Sequence, residues 1–398
     1  MTERETAWGP DCGGHVAATV TPPSEPRTAG ACDDCLARTW LLGLLGGRLE
    51  PVRSRIEPLL ELDDDELIAA VAGRDAAALT REHSRRAVER AGESRERARS
   101  AGLELICRCD PAYPASLAAL AAPPAVLHVA GGARRLLELG GGDPVAIVGT
   151  RAASQYGLDV AAALGRGLGA AGLTVVSGLA LGIDAAAHTG TLAAHGGTVA
   201  VLPGSADRVY PASKRRLHQG ILATGVAVSE VGPGSRVWRW SFQARNRLIA
   251  GLSAMTVVVE AGARSGALMT ARVAAELGRP VGAVPGPVTS LRATGTNALL
   301  AAGATVVRGA QDVLDALFGA GTRVATPDVR SPPTPAQARL LREIGGGRDT
   351  IARLARKARD DQWPGEGARP EDVLVDLAAL ETAGWIRRGA GGRYTVVP

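Results

Sequence analysis

The sequence predicts an α/β protein built on a doubly wound, mostly parallel sheet. Three observations predict it. Between about residues 105 and 318, short apolar runs alternate with helical segments, the pattern of repeated βα units. Most of the runs are continuously apolar rather than alternating, as strands covered on both faces are. The residues that follow the runs are small and polar, as loops at the carboxyl ends of such strands are.

In chain order, residues 1–35 contain TPPSEP and little periodicity, and are expected to be a disordered tail. Residues 36–104 read as a small helical domain. Leu41, Leu42, Leu44, Leu45 and Leu49 open it, LDDDELIAAVAG (62–73) has the form of a capped amphipathic helix, and 80–101 is a highly charged helix. The β-runs are 125–130, 145–150, 173–178, 198–204, 226–230, 255–260, 280–286 and 304–307, with helices at 157–171, 184–195 and 265–277 among them. A linker is expected over 319–334. Residues 335–398 read helix, helix, helix, then two β-runs around Gly391 and Gly392, the order of a winged helix.

Composition narrows the class. At roughly 150 residues per domain, 398 residues make about two to three domains. Hydrophobic residues are 46%, enough for full cores, which excludes a disordered chain. The formal charge is +5, and only Lys214 and Lys357 are lysines, so where the arginines cluster says more than how many there are. The first residues lack a signal-peptide core and no run reaches the ~18 apolar residues of a membrane span, so a cytoplasmic protein is expected. Five cysteines are no disulfide framework. Cys12, His15, Cys32 and Cys35 have zinc-like spacing, but in a segment loosely tied to any core. Reduced cysteines in a tail, no metal and no cofactor are the expectation.

Ligands of open parallel sheets bind beyond the carboxyl ends of the strands. Four such loops here are rich in small residues: 149–154, 177–182, 204–205 and 261–267. Glycines allow close approach of a ligand and helix N-termini offer N–H donors to phosphate, so four such loops together favour a phosphate-bearing ligand. GxGxxG is missing after the run at 145–148, where Arg151 takes the second glycine's place, and GxxxxGK[ST] and GxSxG are missing too. Asp184 and His188 are one helical turn apart and Ser177 is near in sequence; a dipole-favouring Asp with a packed His explains them more simply than a hydrolytic triad.

The sharpest local anomaly is 208–247. It holds eight bases (Arg208, Lys214, Arg215, Arg216, Arg236, Arg239, Arg245 and Arg247) and one acid, Glu230. Aromatic residues are 3% of the chain, yet Trp238, Trp240 and Phe242 fall here within five residues. Basic charge interleaved with aromatic rings suits single-stranded nucleic acid, where charges follow the backbone and rings stack on unpaired bases.

These residues carry a resemblance. VAIVGTRAASQYG (145–157), VVSGLALGIDAAAH (175–188), DRVYP (207–211), FQARNRLIAGLS (242–253), VVVEAGARSGALMTA (257–271), VPGPVTS (284–290) and GTNALLAAGA (295–304) resemble, in order, the motifs of the DNA-processing protein A (DprA/Smf) family. Less closely, the helical N-terminal segment resembles the family's SAM-like domain and the last 60-odd residues its winged-helix domain. The resemblance implies an extended Rossmann-like fold that tends to dimerise. It implies a non-enzymatic protein that binds single-stranded DNA, protects it and loads RecA onto it, as in natural transformation. It maps the pocket arginine to Arg151 in Gly149-Thr150-Arg151, and the F-x-x-R-N-R segment to Phe242, Arg245, Asn246 and Arg247. The basic stretch maps to Lys214 and Arg215, and the Ser-Gly loops to Ser177-Gly178 and Ser265-Gly266. Ser205 stands where the family usually has glycine.

The expected interface has phosphates over the three loops, Lys214, Arg215, Arg245 and Arg247 neutralising them, and Phe242 and Trp240 stacking on bases. A winged-helix recognition helix needs donors toward the major groove, and 370–383 carries Glu371, Asp372, Asp376 and Glu381 with no base. A protein-contacting role, or phosphate contact through Arg387, Arg388 and Arg393 alone, is expected of that domain. The alternative is a nucleotide-processing phosphoribohydrolase on a similar sheet; its PGGxGTxxE motif is missing at 260–270.

Overall fold

The computed structural model describes residues 31–325, 330–360 and 370–398. The expected tail over 1–30, with Cys12 and His15, and part of the linker lie outside the described residues. The chain divides into two compact units, Met1–Val324 and Ala325–Pro398.

The first unit opens with helices α1 (Asp33–Leu49), α2 (Ile56–Glu61), α3 (Asp64–Ala72) and α4 (Ala76–Ser100). Asp63 caps α3 in a reciprocal box with Glu66, as the run of acids before apolar residues requires. Leu41, Leu45, Leu49, Ile56, Leu67 and Ile68 form the helical core. Residues 31–35 are not tail: α1 starts at Asp33, two acids favour its first turn, and Cys35 and Leu36 are fully buried.

The sheet follows: β1 (Glu104–Cys107), α5 (Ala115–Ala118), β2 (Val126–Ala130), α6 (Ala133–Gly140), β3 (Val145–Val148), α7 (Gln155–Ala170), β4 (Val175–Ser177), α8 (Ile183–Ala193) and β5 (Thr198–Val201). Then come α9 (Arg215–Thr224), β6 (Val226–Ser229), α10 (Arg239–Gly251), β7 (Met255–Val258), α11 (Ala267–Glu276), β8 (Val281–Ala283), α12 (Thr294–Ala301), β9 (Thr305–Val306) and α13 (Ala310–Phe318). The strand order is β1-β2-β6-β5-β4-β3-β7-β8-β9. The seven strands from β6 to β9 pair in parallel, while β1 and β2 join antiparallel. The apolar runs VAIV, TVAV and MTVV are buried throughout, as strands covered on both faces must be. β1 was not among the expected runs; its first residues are exposed at the sheet edge, so it lacks their continuous apolarity.

From β3 the chain runs outward through β4, β5 and β6, then returns to lay β7, β8 and β9 on the other side. The switch point lies between β3 and β7, where such sheets bind ligands. Close packing of α7 on α8 steadies this end. A Cβ on Gly165 would meet Ala187 O at 2.2 Å, and one on Gly190 would meet Ala162 O at 1.9 Å. Among the described residues no helix is long and apolar enough to cross a membrane.

The second unit holds α14 (Pro335–Gly345), α15 (Ile351–Asp360), α16 (Pro370–Thr382) and an antiparallel pair, β10 (Ile386–Arg388) and β11 (Tyr394–Val396). Leu340, Leu354, Leu377 and Tyr394 are in its core. Thr334 and Gln337 form a capping box at α14, with Pro335 in the first turn.

Candidate nucleic-acid interface

The loops after β3, β4 and β7 lock onto one another at the switch point. Thr150 N donates to Glu260 O at 2.7 Å, and Ile183 N to Thr150 O at 3.3 Å. The loop glycines serve this packing. A Cβ on Gly149 would lie 2.5 Å from Ile183 Cγ1, and one on Gly182 2.3 Å from Thr150 O. The expectation that these glycines admit a ligand is therefore corrected for Gly149: the protein's own atoms fill the space.

The helix N-termini are also partly spoken for. Ser154 caps α7 by accepting from Gly157 N at 3.1 Å, and the Glu260 carboxylate accepts from Ser154 N at 2.7 Å. An acid from the end of β7 thus occupies the anion-favouring start of α7. At α11, Ser265 Oγ accepts from Ala267 N at 3.4 Å, Gly266 is exposed, and nothing crowds its Cβ position closer than Asn246 Nδ2 at 3.7 Å.

Helix α10 decides the fate of the basic–aromatic segment. Helical spacing sends Trp240, Ala244, Arg247 and Leu248 inward and leaves Arg239 and Phe242 on the outer side. Trp240 is 2% exposed, packs in the helical core, and donates its indole N–H to Gly46 O at 3.1 Å. It is not a base-stacking ring. Arg247 is 5% exposed, forks onto both Glu230 oxygens at 3.0 and 2.5 Å, and donates to Ala122 O and Ala244 O at 2.9 and 2.7 Å. Arg245, also 5% exposed, donates to Gly178 O and to Val201 O, and faces Asp184 at 3.6 Å. Burial pushes the Asp184 carboxyl up and the Arg245 guanidinium down from their ordinary values, and each partner's charge opposes the shift. The expected phosphate contacts of Arg245 and Arg247 are corrected: their charges are used inside the fold. Asn246 is buried too, its amide donating to Gly266 O at 3.2 Å, so it fixes the α11 loop.

Ser177 is fully buried with its hydroxyl donating to Ile147 O at 2.6 Å, and Gly178 lies under the Arg245 guanidinium. These two residues are closed off from a ligand, while Leu181 further along the loop is exposed. His188 Nδ1 meets Thr198 Oγ1 at 2.7 Å, and burial pushes its pKa down to about 3, with the Arg245 charge adding to the shift. Neither Asp184 nor His188 bonds the Ser177 hydroxyl, which is given to Ile147 O: His188 meets the Ser177 backbone and Thr198, and Asp184 faces Arg245.

What remains at the surface is coherent. Arg151 is exposed, and its guanidinium carbon stacks 4.5 Å over the half-buried Phe242 ring. Tyr210, 57% exposed, stands edge-on to Phe242 with ring centroids 6.0 Å apart. Lys214 is half-buried, Arg215 is exposed, and Thr150 and Ser265 are partly exposed. Outside the expected contact residues were Tyr210, the exposed Arg239, counted there only for its charge, Arg264 on the β7 loop, and Arg292, whose Nε donates to Ala152 O at 2.9 Å beside the β3 loop. For Arg239 the signal was present: helical periodicity puts it three residues before Phe242 on one face. For Arg292 no local signal exists, since the contact spans 140 residues.

Fold and loops together define a doubly wound α/β protein whose switch point presents a cation–aromatic face in place of a nucleotide-binding glycine loop. A family model for DNA recombination-mediator protein A matches residues 104–318. A curated DNA processing protein DprA relative from Mycobacterium tuberculosis is 39% identical over 330 residues, 79% of this chain and 82% of its own. Protein Smf of Escherichia coli is 34% identical over 289 residues, 70% of this chain and 74% of its own. The X-ray structure of DprA from Streptococcus pneumoniae matches with a TM-score of 0.58 at 30% identity, over 72% of this chain and 99% of that one. The chain belongs to the DNA processing protein A (DprA/Smf) family, the DNA recombination mediators.

Proposed function

We propose that the chain binds single-stranded DNA across the face made by Arg151, Phe242 and Tyr210 and hands the strand to RecA, acting as a cytoplasmic homodimer without catalysis of its own. The observation that supports this best is the stack of Arg151 on Phe242 at the switch point, with Tyr210 completing an aromatic corner open to solvent. Unpaired bases stack on such rings, and a duplex hides its bases from them. Phosphate contacts come from Arg292, which bonds the β3 loop beside Arg151, and from Lys214 and Arg215, a few residues after Tyr210 in the chain, with the exposed Arg239 one turn before Phe242 on α10. A dimer would hold two corners to one strand and gain avidity.

The test is fluorescence anisotropy with labelled oligothymidine, titrated with salt and with duplex competitor. Arg151→Ala and Phe242→Ala are expected to keep the wild-type melting temperature and lose affinity, Phe242→Ala by about 1–3 kcal/mol. Arg151→Ala is expected to lower the salt slope by about 0.7. Wild-type binding that is weak, or that prefers duplex, would overturn the reading. RecA filament growth on a strand already covered by a single-strand-binding protein tests the hand-over.

A further inference from the structure

Four cysteines from two distant stretches meet where α1 packs on the sheet edge. Cys32 precedes α1 and Cys35 lies in its first turn, while Cys107 ends β1 and Cys109 follows in the next turn. Their sulfurs all lie within 4.8 Å of one another. Cys35 Sγ is 3.7 Å from Cys109 Sγ, and Cys107 Sγ is 4.0 Å from Cys32 Sγ. A tetrahedral zinc with arms of about 2.3 Å needs sulfur–sulfur edges of about 3.8 Å. The Cys107 sulfur also accepts from the backbone N–H groups of Cys32 and Cys109, the outer-shell support that thiolate ligands use. Around the cluster are Ala31, Leu36, Ala91, Ala125 and Val126, an apolar wall.

We propose that this cluster is a structural zinc site, with Cys32, Cys35, Cys107 and Cys109 as its four thiolate ligands in the reduced protein. The spacing C-x-x-C at 32–35 with C-x-C at 107–109 suits a mononuclear site closed to other ligands. Cys32, Cys35 and Cys107 are free thiols in the structure, and Cys109 is disulfide-bonded. A dithiol reductant opens that bond: two electrons and two protons pass from its thiols to the disulfide, and the reductant leaves oxidised. Zinc then displaces the protons of the thiols it binds. The site pins the start of α1 to β1, tying the helical segment to the antiparallel edge of the sheet. The sequence reading placed Cys32 and Cys35 in a tail with no metal; the fold brings them instead to Cys107 and Cys109.

The full chain, purified with dithiothreitol, is assayed by elemental analysis and by mercurial titration with a zinc dye. The expected result is one zinc per chain, released as the thiols react. Cobalt substitution is expected to give the intense thiolate charge-transfer band of a tetrahedral sulfur site, a readout that needs no variant. Cys32→Ser and Cys107→Ser are each expected to reduce zinc content and melting temperature. Metal-free reduced protein whose thiols react independently overturns the proposal, since four small apolar side chains would then simply pack. So does iron with sulfide in place of zinc, or zinc content unchanged in both variants. The DNA-binding titration above reads a different surface, so either result can fail without the other.

Discussion

Replacing Arg247 by alanine separates the sequence's expectation for the basic segment from the structure's. On the sequence, Arg247 neutralises a phosphate, and its loss weakens DNA binding while leaving the fold alone. In the structure its guanidinium makes a fork with Glu230 and donates to two carbonyls, all under cover. Removing it leaves a carboxylate that is itself buried facing no cation, and takes a donor from Ala122 O. Breaking a buried pair from one side costs about 3–5 kcal/mol. For a domain stable by about 5–15 kcal/mol that is a large share of the total. Urea unfolding followed by circular dichroism should show the midpoint of Arg247→Ala falling sharply with little change in slope. The double variant Glu230→Leu/Arg247→Met, which removes both charges and keeps apolar bulk, should recover most of the loss. A stability change under about 1 kcal/mol, together with a selective loss of oligothymidine binding, would refute the buried role, because rim charges alone behave that way.

Two further outcomes follow from the interior. Gly178→Ala puts a Cβ 1.6 Å from Arg245 Nη1, and that guanidinium is held by Gly178 O, Val201 O and Asp184. A loss of about 1–3 kcal/mol is expected in the same urea assay, and no loss would mean the arginine is free to leave. Burial holds the pKa of His128 down to about 4 and of His188 to about 3. Unfolding therefore takes up protons below about pH 6.5, so stability is full above that value and falls as pH drops toward the folded values. About 2 kcal/mol per histidine should be lost by pH 5. His128→Leu should shrink the loss, and a urea midpoint flat between pH 7 and 5 would contradict the burial argument.

The parallel strands were legible because a strand covered on both faces must be apolar throughout, and VAIV, TVAV and MTVV have no polar position to confuse the reading. β1 was not, because half of ELIC faces outward at an edge. Of the residues expected to touch DNA, Arg151 and Arg215 are exposed and Phe242 and Lys214 half-buried. Trp240, Arg245 and Arg247 are buried, for one shared reason. Counting the charges and rings of a segment treats each as exposed, whereas α10 turns these three inward, toward Gly46, Asp184 and Glu230, partners 194, 61 and 17 residues away that no local pattern reveals. The cysteines failed in the opposite direction: CxxC at 32–35 was visible, but its partners at 107 and 109 sit beyond a whole helical segment.

Glu50, at the end of α1, accepts from the backbone N–H groups of Arg239 and Trp240 at 2.9 and 3.3 Å, the orphan donors that open α10. The helix that carries Phe242 is therefore started by a carboxylate almost two hundred positions earlier, and Trp240 is roofed by the same helices. The sheet is no cassette that recombination of gene fragments can lift out intact. A shortened descendant lacking its first hundred residues would have to invent both a new cap and a new cover for one tryptophan before this helix could form again.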